Sequence, residues 1–230
     1  MINGSYLLVI DGTAESRAAA YLAWELAEKT GSRIVAQHVI NVPAIRNLLS
    51  LRKPGFVGSG IYLEAAERIK ESLRSVAESV TLSYEAQAEG RNIKFETCID
   101  EGDPLAEITK RVQSHDLLII GHDPSVPRQP DTYSLCEELA ETCNCSMLIV
   151  NASCNDWSEI HIGSVSVATE PDATASGSFV EFAKALGLSS ELRPLPAAMS
   201  KRGLRSYLRH FMEPALLLWR QTNAKQPVAS

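Results

Sequence analysis

A chain of 230 residues with 45% hydrophobic and 22% charged side chains has the makeup of a globular protein, with room for one full domain and part of a second. Its net charge of -6 is uneven, since residues 1–151 carry 14 basic against 21 acidic side chains and residues 152–230 carry 8 against 7. The acidic first part excludes a general nucleic-acid binder, which needs a basic surface to neutralise phosphates.

Residues 5–11 are a continuous apolar run, the pattern of a strand buried on both faces of a parallel sheet, and they end in Asp11-Gly12-Thr13. Helical periodicity follows over residues 14–30, with Gly31 as its C-terminal stop, and RIVAQHVI at 33–40 makes the second strand. Residues 41–60, with three glycines, two prolines and Arg46, Arg52 and Lys53, read as an irregular excursion or a basic flap over the sheet edge. A long helix is expected over 61–88, with Ile61, Ala65, Ile69, Leu73, Val76, Val80 and Tyr84 on its apolar face.

The third strand is expected at 92–99, followed by Asp103 as the cap of a helix that opens with Pro104. Residues 116–120 and 146–150 give the fourth and fifth strands, with a helix at about 132–142 between them. Strand and helix alternate throughout, so the fold class is α/β: an open, doubly wound, five-stranded parallel sheet with helices on both faces. Right-handed crossovers place the ends of the first and fourth strands, Asp11 and Gly121, on one rim, where open α/β sheets bind ligands.

After residue 151 the pattern of strand, helix ending in Gly187 and strand starts again, so two domains are read: 1–151, and a smaller, truncated α/β repeat at 152–230. The repeat ends in a basic amphipathic helix. Leu204, Tyr207, Leu208, Phe211 and Met212 share one side, Arg202, Arg205 and Arg209 surround them, and Pro214 kinks or ends the helix. Such a face covers the sheet of its own chain or a neighbouring subunit, or binds an anionic membrane surface or an acidic protein partner through residues 201–220.

Five cysteines, an odd number, suit reduced structural thiols, and Cys145 and Cys154, flanking a strand, are the pair expected to be exposed. The amino terminus lacks the pattern of a secretory signal, and no apolar run approaches the roughly 20 residues of a membrane span. A cytoplasmic protein without membrane contact is expected.

YLLVIDGT with its helix, QHVI, EGDPLAEI, HDLLIIG and CSMLIV, in this order over residues 5–151, together resemble the universal stress protein family. The resemblance implies an adenine-nucleotide α-hydrolase-like fold, a homodimer, and binding of ATP or AMP. It assigns Asp11, with Gly12 and Thr13, to the ribose and Val39 on the second strand to the adenosine. For the phosphates it implies a loop of the form Gly-x2-Gly-x9-Gly-Ser/Thr, whose outer ends match Gly121 and Ser134.

The inner glycines of that loop are replaced. Pro124 stands at the second, without an N–H to offer and with φ fixed near about -65°. Tyr133 stands at the third, counted back from the fifth strand, with the bulk and Cβ that glycine avoids. His122 and Arg128 belong to the same stretch, and Arg128 offers a guanidinium fork in place of backbone donors. The candidate ligand-binding residues are thus Asp11, Gly12, Thr13, Val39, Gly121, His122, Arg128 and Ser134.

No nucleophile elbow, Walker loop or zinc-binding helix occurs, and no pair of acids has acid–base spacing. His161-Ile162-Gly163-Ser164 lacks the final histidine of a nucleotidyl-transfer element and precedes a strand instead of following one. Weak ATP hydrolysis is the only enzymatic reading left. The preferred reading is a stress-response or signalling protein that binds a small ligand, with a fifth strand free to pair across a dimer. The alternative is a nucleotide-independent dimeric interaction module that uses its carboxyl-terminal half.

Overall fold

The computed structural model describes residues 4–49, 59–113, 115, 117–126, 132–151, 165–169, 182–183, 192–194 and 201–220. Eight strands form one sheet in the order β3-β2-β1-β4-β5-β8-β6-β7. The first five are β1 (Ser5–Val9), β2 (Arg33–Asn41), β3 (Phe95–Gly102), β4 (Leu117–His122) and β5 (Ser146–Asn151), all parallel to one another. Helices α1 (Ala14–Thr30), α2 (Val42–Leu48), α3 (Ser59–Gly90), α4 (Pro104–Val112) and α5 (Leu135–Thr142) connect them.

Alternating side chains of the strands feed two separate cores. Tyr6, Leu8, Ile119, Leu148 and Val150 pack with Trp24 of α1 and Tyr84 and Ala88 of α3 on one face. Leu7, Val9, Leu118, Met147 and Ile149 pack with Ile108 of α4 and Leu139 of α5 on the other. The unbroken apolar runs follow from this, because neither face of a central strand meets water.

The first half matches the sequence reading with local corrections. Residues 42–48, expected to be irregular, form α2, because the Asn41 side chain caps it by accepting from Ala44 N and Pro43 fits its first turn. β3 begins three residues later than expected, since Asn92 takes a φ of 56° in the turn before it. Helix α3 buries only the carboxyl-terminal part of its expected face: Tyr84 is buried, whereas Ile61, Leu73 and Val76 are 74%, 41% and 57% exposed. Cys145 is buried rather than exposed, and Cys154 lies outside the described residues.

Strands β6 (Ser166–Thr169), β7 (Leu192–Pro194) and β8 (Ala215–Trp219) join the same sheet, so the described part of 152–230 is no separate unit. Among themselves they are parallel, in the order β8-β6-β7, which is the order of β4-β1-β2 in the first half. Strand β8, which follows the Pro214 that was expected to kink or end the helix and was not itself expected, pairs antiparallel with β5 through Met147↔Leu218, Leu148↔Leu217, Ile149↔Leu216 and Val150↔Ala215. Its ALLLW run sends Ala215 and Leu217 into one core and Leu216 and Leu218 into the other.

Two expectations change as a result. The edge of β5 that was to pair across a dimer is occupied by β8 of the same chain. Helix α6 (Lys201–Arg209) carries Leu204 and Leu208, and with Phe211 beyond its end these three are buried against α5 and the sheet within the chain, leaving Met212 66% exposed. The partner surface proposed for residues 201–220 thereby loses its apolar anchor. Among the described residues, no helix is long and apolar enough to cross a membrane.

Candidate functional site

The sheet order reverses between β1 and β4, since β1 leads outward to β2 and β4 leads the other way to β5. Two neighbouring crossovers that depart to opposite sides leave a crevice at the carboxyl ends of these strands. A cleft of about 260 Å³ lies there, lined from the first loop by Asp11, Thr13 and Glu15 and from the second by Gly121, His122, Asp123 and Ser134.

The first wall is built from a turn and a cap. Asp11 Oδ1 accepts both from Thr13 N at 2.9 Å and from Thr13 Oγ1 at 2.7 Å, closing an Asx turn through Gly12. Gly12 needs its glycine for a φ of +80° and faces Val80 of α3. Thr13 then caps α1, its hydroxyl oxygen accepting from Ser16 N at 3.3 Å.

The second wall rests on the first. A Cβ added to Gly121 would lie 2.4 Å from the Glu15 carbonyl carbon and 2.5 Å from its oxygen, so only glycine lets the first turn of α1 sit on the end of β4. His122 is buried, with Nε2 3.2 Å from the Leu208 carbonyl, which only accepts, so this nitrogen donates. Asp123 Oδ1 accepts from Ser125 N and Ser125 Oγ at 2.7 and 2.6 Å, an Asx turn across Pro124.

Ser134 caps α5 through a reciprocal box. Its hydroxyl accepts from Glu137 N at 3.1 Å, and its own N–H donates to Glu137 Oε2 at 2.7 Å. The Glu137 carboxylate is fully buried, and Arg209 of α6 supplies its counter-charge, Nε standing 3.4 Å from Oε1. Arg209 also donates to the Thr132 carbonyl at 3.0 Å, and Arg205 pairs with Glu141. The guanidinium carbons of Arg205 and Arg209 lie 3.9 and 5.6 Å from the Tyr133 ring centre, so this ring serves as a cation–π platform for α6.

Of the eight candidate residues, Asp11, Thr13, Gly121, His122 and Ser134 meet in the cleft. Gly12 turns toward α3, Val39 packs into the core beneath α4 away from the cleft lining, and Arg128 lies outside the described residues. Sequence reasoning missed Glu15 and Ser16 of the lining, although both stand in the first turn after a recognisable cap. It also missed the Ser134-x-x-Glu137 box, whose signature is local and legible.

The described cysteines lie apart from these residues, except Cys136, which lines the cleft. Burial pushes the Cys98 thiol up to about 11. Cys143 and Cys145 share a hydrogen bond at the start of β5, which, with Thr109 and the Arg220 charge, brings Cys143 down to about 7 while Cys145 is raised.

An open, mostly parallel α/β sheet with a cleft at its switch point and capped helices on both walls defines an α/β protein of the doubly wound class. The family model described as "Universal stress protein family" matches residues 5–151, more than half of the chain, and the chain belongs to that family. A universal stress protein from Archaeoglobus fulgidus is similar over 96% of this chain and 80% of its own, with 16% identity and a TM-score of 0.58. The universal stress protein UspA from Lactobacillus plantarum is similar over 65% of this chain and 97% of its own, with 12% identity and a TM-score of 0.50. At such identities the likeness is one of fold, and the first of the two extends it into the carboxyl-terminal strands. Comparison with curated protein sequences gives no match.

Proposed function

We propose that this chain is a stress-response or signalling protein that binds a small ligand of adenosine type in the cleft between β1 and β4. The observation that carries the reading is the convergence of Asp11, Thr13 and Ser134, from loops more than a hundred residues apart, on one cleft at the switch point. Family membership supplies the ligand class, and Asp11 is the acceptor for ribose hydroxyls. The reading requires no chemistry: the ligand is held, and its occupancy changes how firmly the two loops are fixed.

Thermal denaturation of the full chain with adenosine, AMP, cyclic AMP and ATP tests this. A ligand at a hundred times its Kd stabilises the folded state by about 2.7 kcal/mol, which is readily seen in Tm. At least one of the four is expected to raise Tm, and Asp11→Ala is expected to remove that shift. No shift with any of them at millimolar concentration would refute the reading.

A further inference from the structure

We propose that α6 positions the second wall of the cleft for its ligand, with Arg209 as the positioning residue, so that occupancy of the cleft and docking of the carboxyl-terminal segment are linked. This rests on the adenosine-type reading above and adds which part of the chain governs that site.

Two lining residues of the second wall are held from the carboxyl-terminal segment. His122, at the end of β4, donates through Nε2 to the Leu208 carbonyl in the last turn of α6 at 3.2 Å. Asn151, its partner in register on β5, is fully buried and continues the grip beyond the helix. Its Nδ2 donates to the Phe211 carbonyl at 2.9 Å and its backbone N–H to the Pro214 carbonyl at 2.8 Å. Ser134 is reached through Glu137, whose Oε2 accepts from Ser134 N at 2.7 Å while Oε1 faces Arg209 Nε at 3.4 Å. The two residues before Ser134 complete the contact. The Thr132 carbonyl accepts from Arg209 at 3.0 Å, and the Tyr133 ring faces both guanidinium groups.

The charge on Glu137 makes Arg209 decisive. A carboxylate with 0% side-chain exposure holds its charge by virtue of the opposite charge beside it. Without Arg209 it turns toward water or takes up a proton, and either change weakens the acceptor that fixes the Ser134 N–H. The Ser134 hydroxyl then loses its set place on the cleft wall. Leu204, Leu208 and Phe211 stay buried in the second core, so the loss of one cation loosens the wall without releasing the segment. Coupling between two sites is reciprocal: docking that strengthens the ligand's hold is strengthened by the ligand in the same proportion. The carboxyl-terminal segment is therefore the part of the chain that senses occupancy.

Calorimetric titration at a temperature where every variant is folded tests the link, with whichever of adenosine, AMP, cyclic AMP and ATP raises the wild-type Tm. Arg209→Ala is expected to weaken binding about tenfold, a usual size for coupling between sites. Arg209→Lys keeps the charge but not the planar fork that stacks on Tyr133, and is expected to fall between the two. Glu137→Gln added to Arg209→Ala is expected to regain most of the affinity, since its amide oxygen still accepts from Ser134 N. In the wild-type chain the same ligand at saturation is expected to slow hydrogen exchange of the α6 amides, again about tenfold. Should Arg209→Ala fold poorly, Tyr133→Leu, which removes the platform and keeps its bulk, takes its place beside the exchange measurement. Unchanged affinity in Arg209→Ala overturns the proposal and leaves the adenosine-type reading standing, as does α6 exchange unmoved by a ligand that binds. A Tm unmoved by all four compounds overturns both.

Discussion

The loop after β1 and the loop after β4 reach one cleft by the same local device, an aspartate closing an Asx turn and a hydroxyl capping the next helix, yet they are anchored differently. The first is held mostly by its own residues: Asp11, Thr13 and Ser16 bond to one another, and α3 is reached at two points, Ser16 Oγ lying 3.3 Å from the Tyr84 hydroxyl and Gly12 facing Val80. The second is tied to the far end of the chain, because His122, Thr132, Tyr133 and Glu137 all contact α6. The replaced glycine position at Tyr133 is thus more than a loss from a phosphate loop. Its ring gives the carboxyl-terminal segment a place to dock, and the same segment then closes the β5 edge with β8.

The place where the two loops touch carries the largest expected effect. Gly121→Ala forces a methyl group into backbone that already lies within 2.6 Å, which only a shift of α1 away from β4 relieves. A loss of about 3 kcal/mol is expected in chemical denaturation, the upper end for overpacking. Gly12→Ala, where the nearest atom would stand at 3.4 Å, bears only the penalty of positive φ, about 1 kcal/mol. Equal losses at the two glycines would show that the walls do not rest on each other.

The tie to α6 is tested next. Arg209→Ala leaves the buried Glu137 carboxylate without its counter-charge and removes one cation from the Tyr133 ring. Because Arg209 is itself 30% exposed and its contact with Glu137 is long, about 2 kcal/mol is expected rather than the larger loss of a fully buried pair. Glu137→Gln in the same background removes the stranded charge while an amide oxygen still accepts from Ser134 N, so it is expected to restore at least half of the loss. A double variant no more stable than Arg209→Ala alone would mean that Arg209 acts through Tyr133 and Thr132 instead.

This division also explains what the sequence disclosed. The five parallel strands, the caps at Asp103 and Gly31 and the position of the rim loops were legible because each is signalled within a few neighbouring residues. The long α3 was legible in extent but not in burial, since periodicity marks a face without saying how far the sheet reaches beneath it. Strand β8 was hidden because ALLLW follows a helical pattern and its partner lies far upstream, 71 residues away at Met147↔Leu218 and 65 at Val150↔Ala215, so nothing local separates helix from strand. The role of Tyr133 was hidden for the same reason: its partners, Arg205 and Arg209, are neighbours only in the folded chain.

The smallest effects compare the caps themselves. Thr13→Ala and Ser134→Ala each remove an acceptor for the third N–H of a helix, a change of about 1 kcal/mol. Ser134 is expected to matter more, by about 0.5 kcal/mol, because its bond is shorter, 3.1 against 3.3 Å, and half of a reciprocal box that orients a buried charge. Thr13→Ser and Ser134→Thr keep the oxygen and are expected to lie close to the parent. If Thr13→Ala proves the costlier, the reason lies in Asp11, which then loses its hydroxyl donor, and the first loop is the more tightly bound of the two. Denaturation midpoints at constant m-value separate these outcomes, since an unchanged slope reports a change in stability rather than in the surface exposed on unfolding.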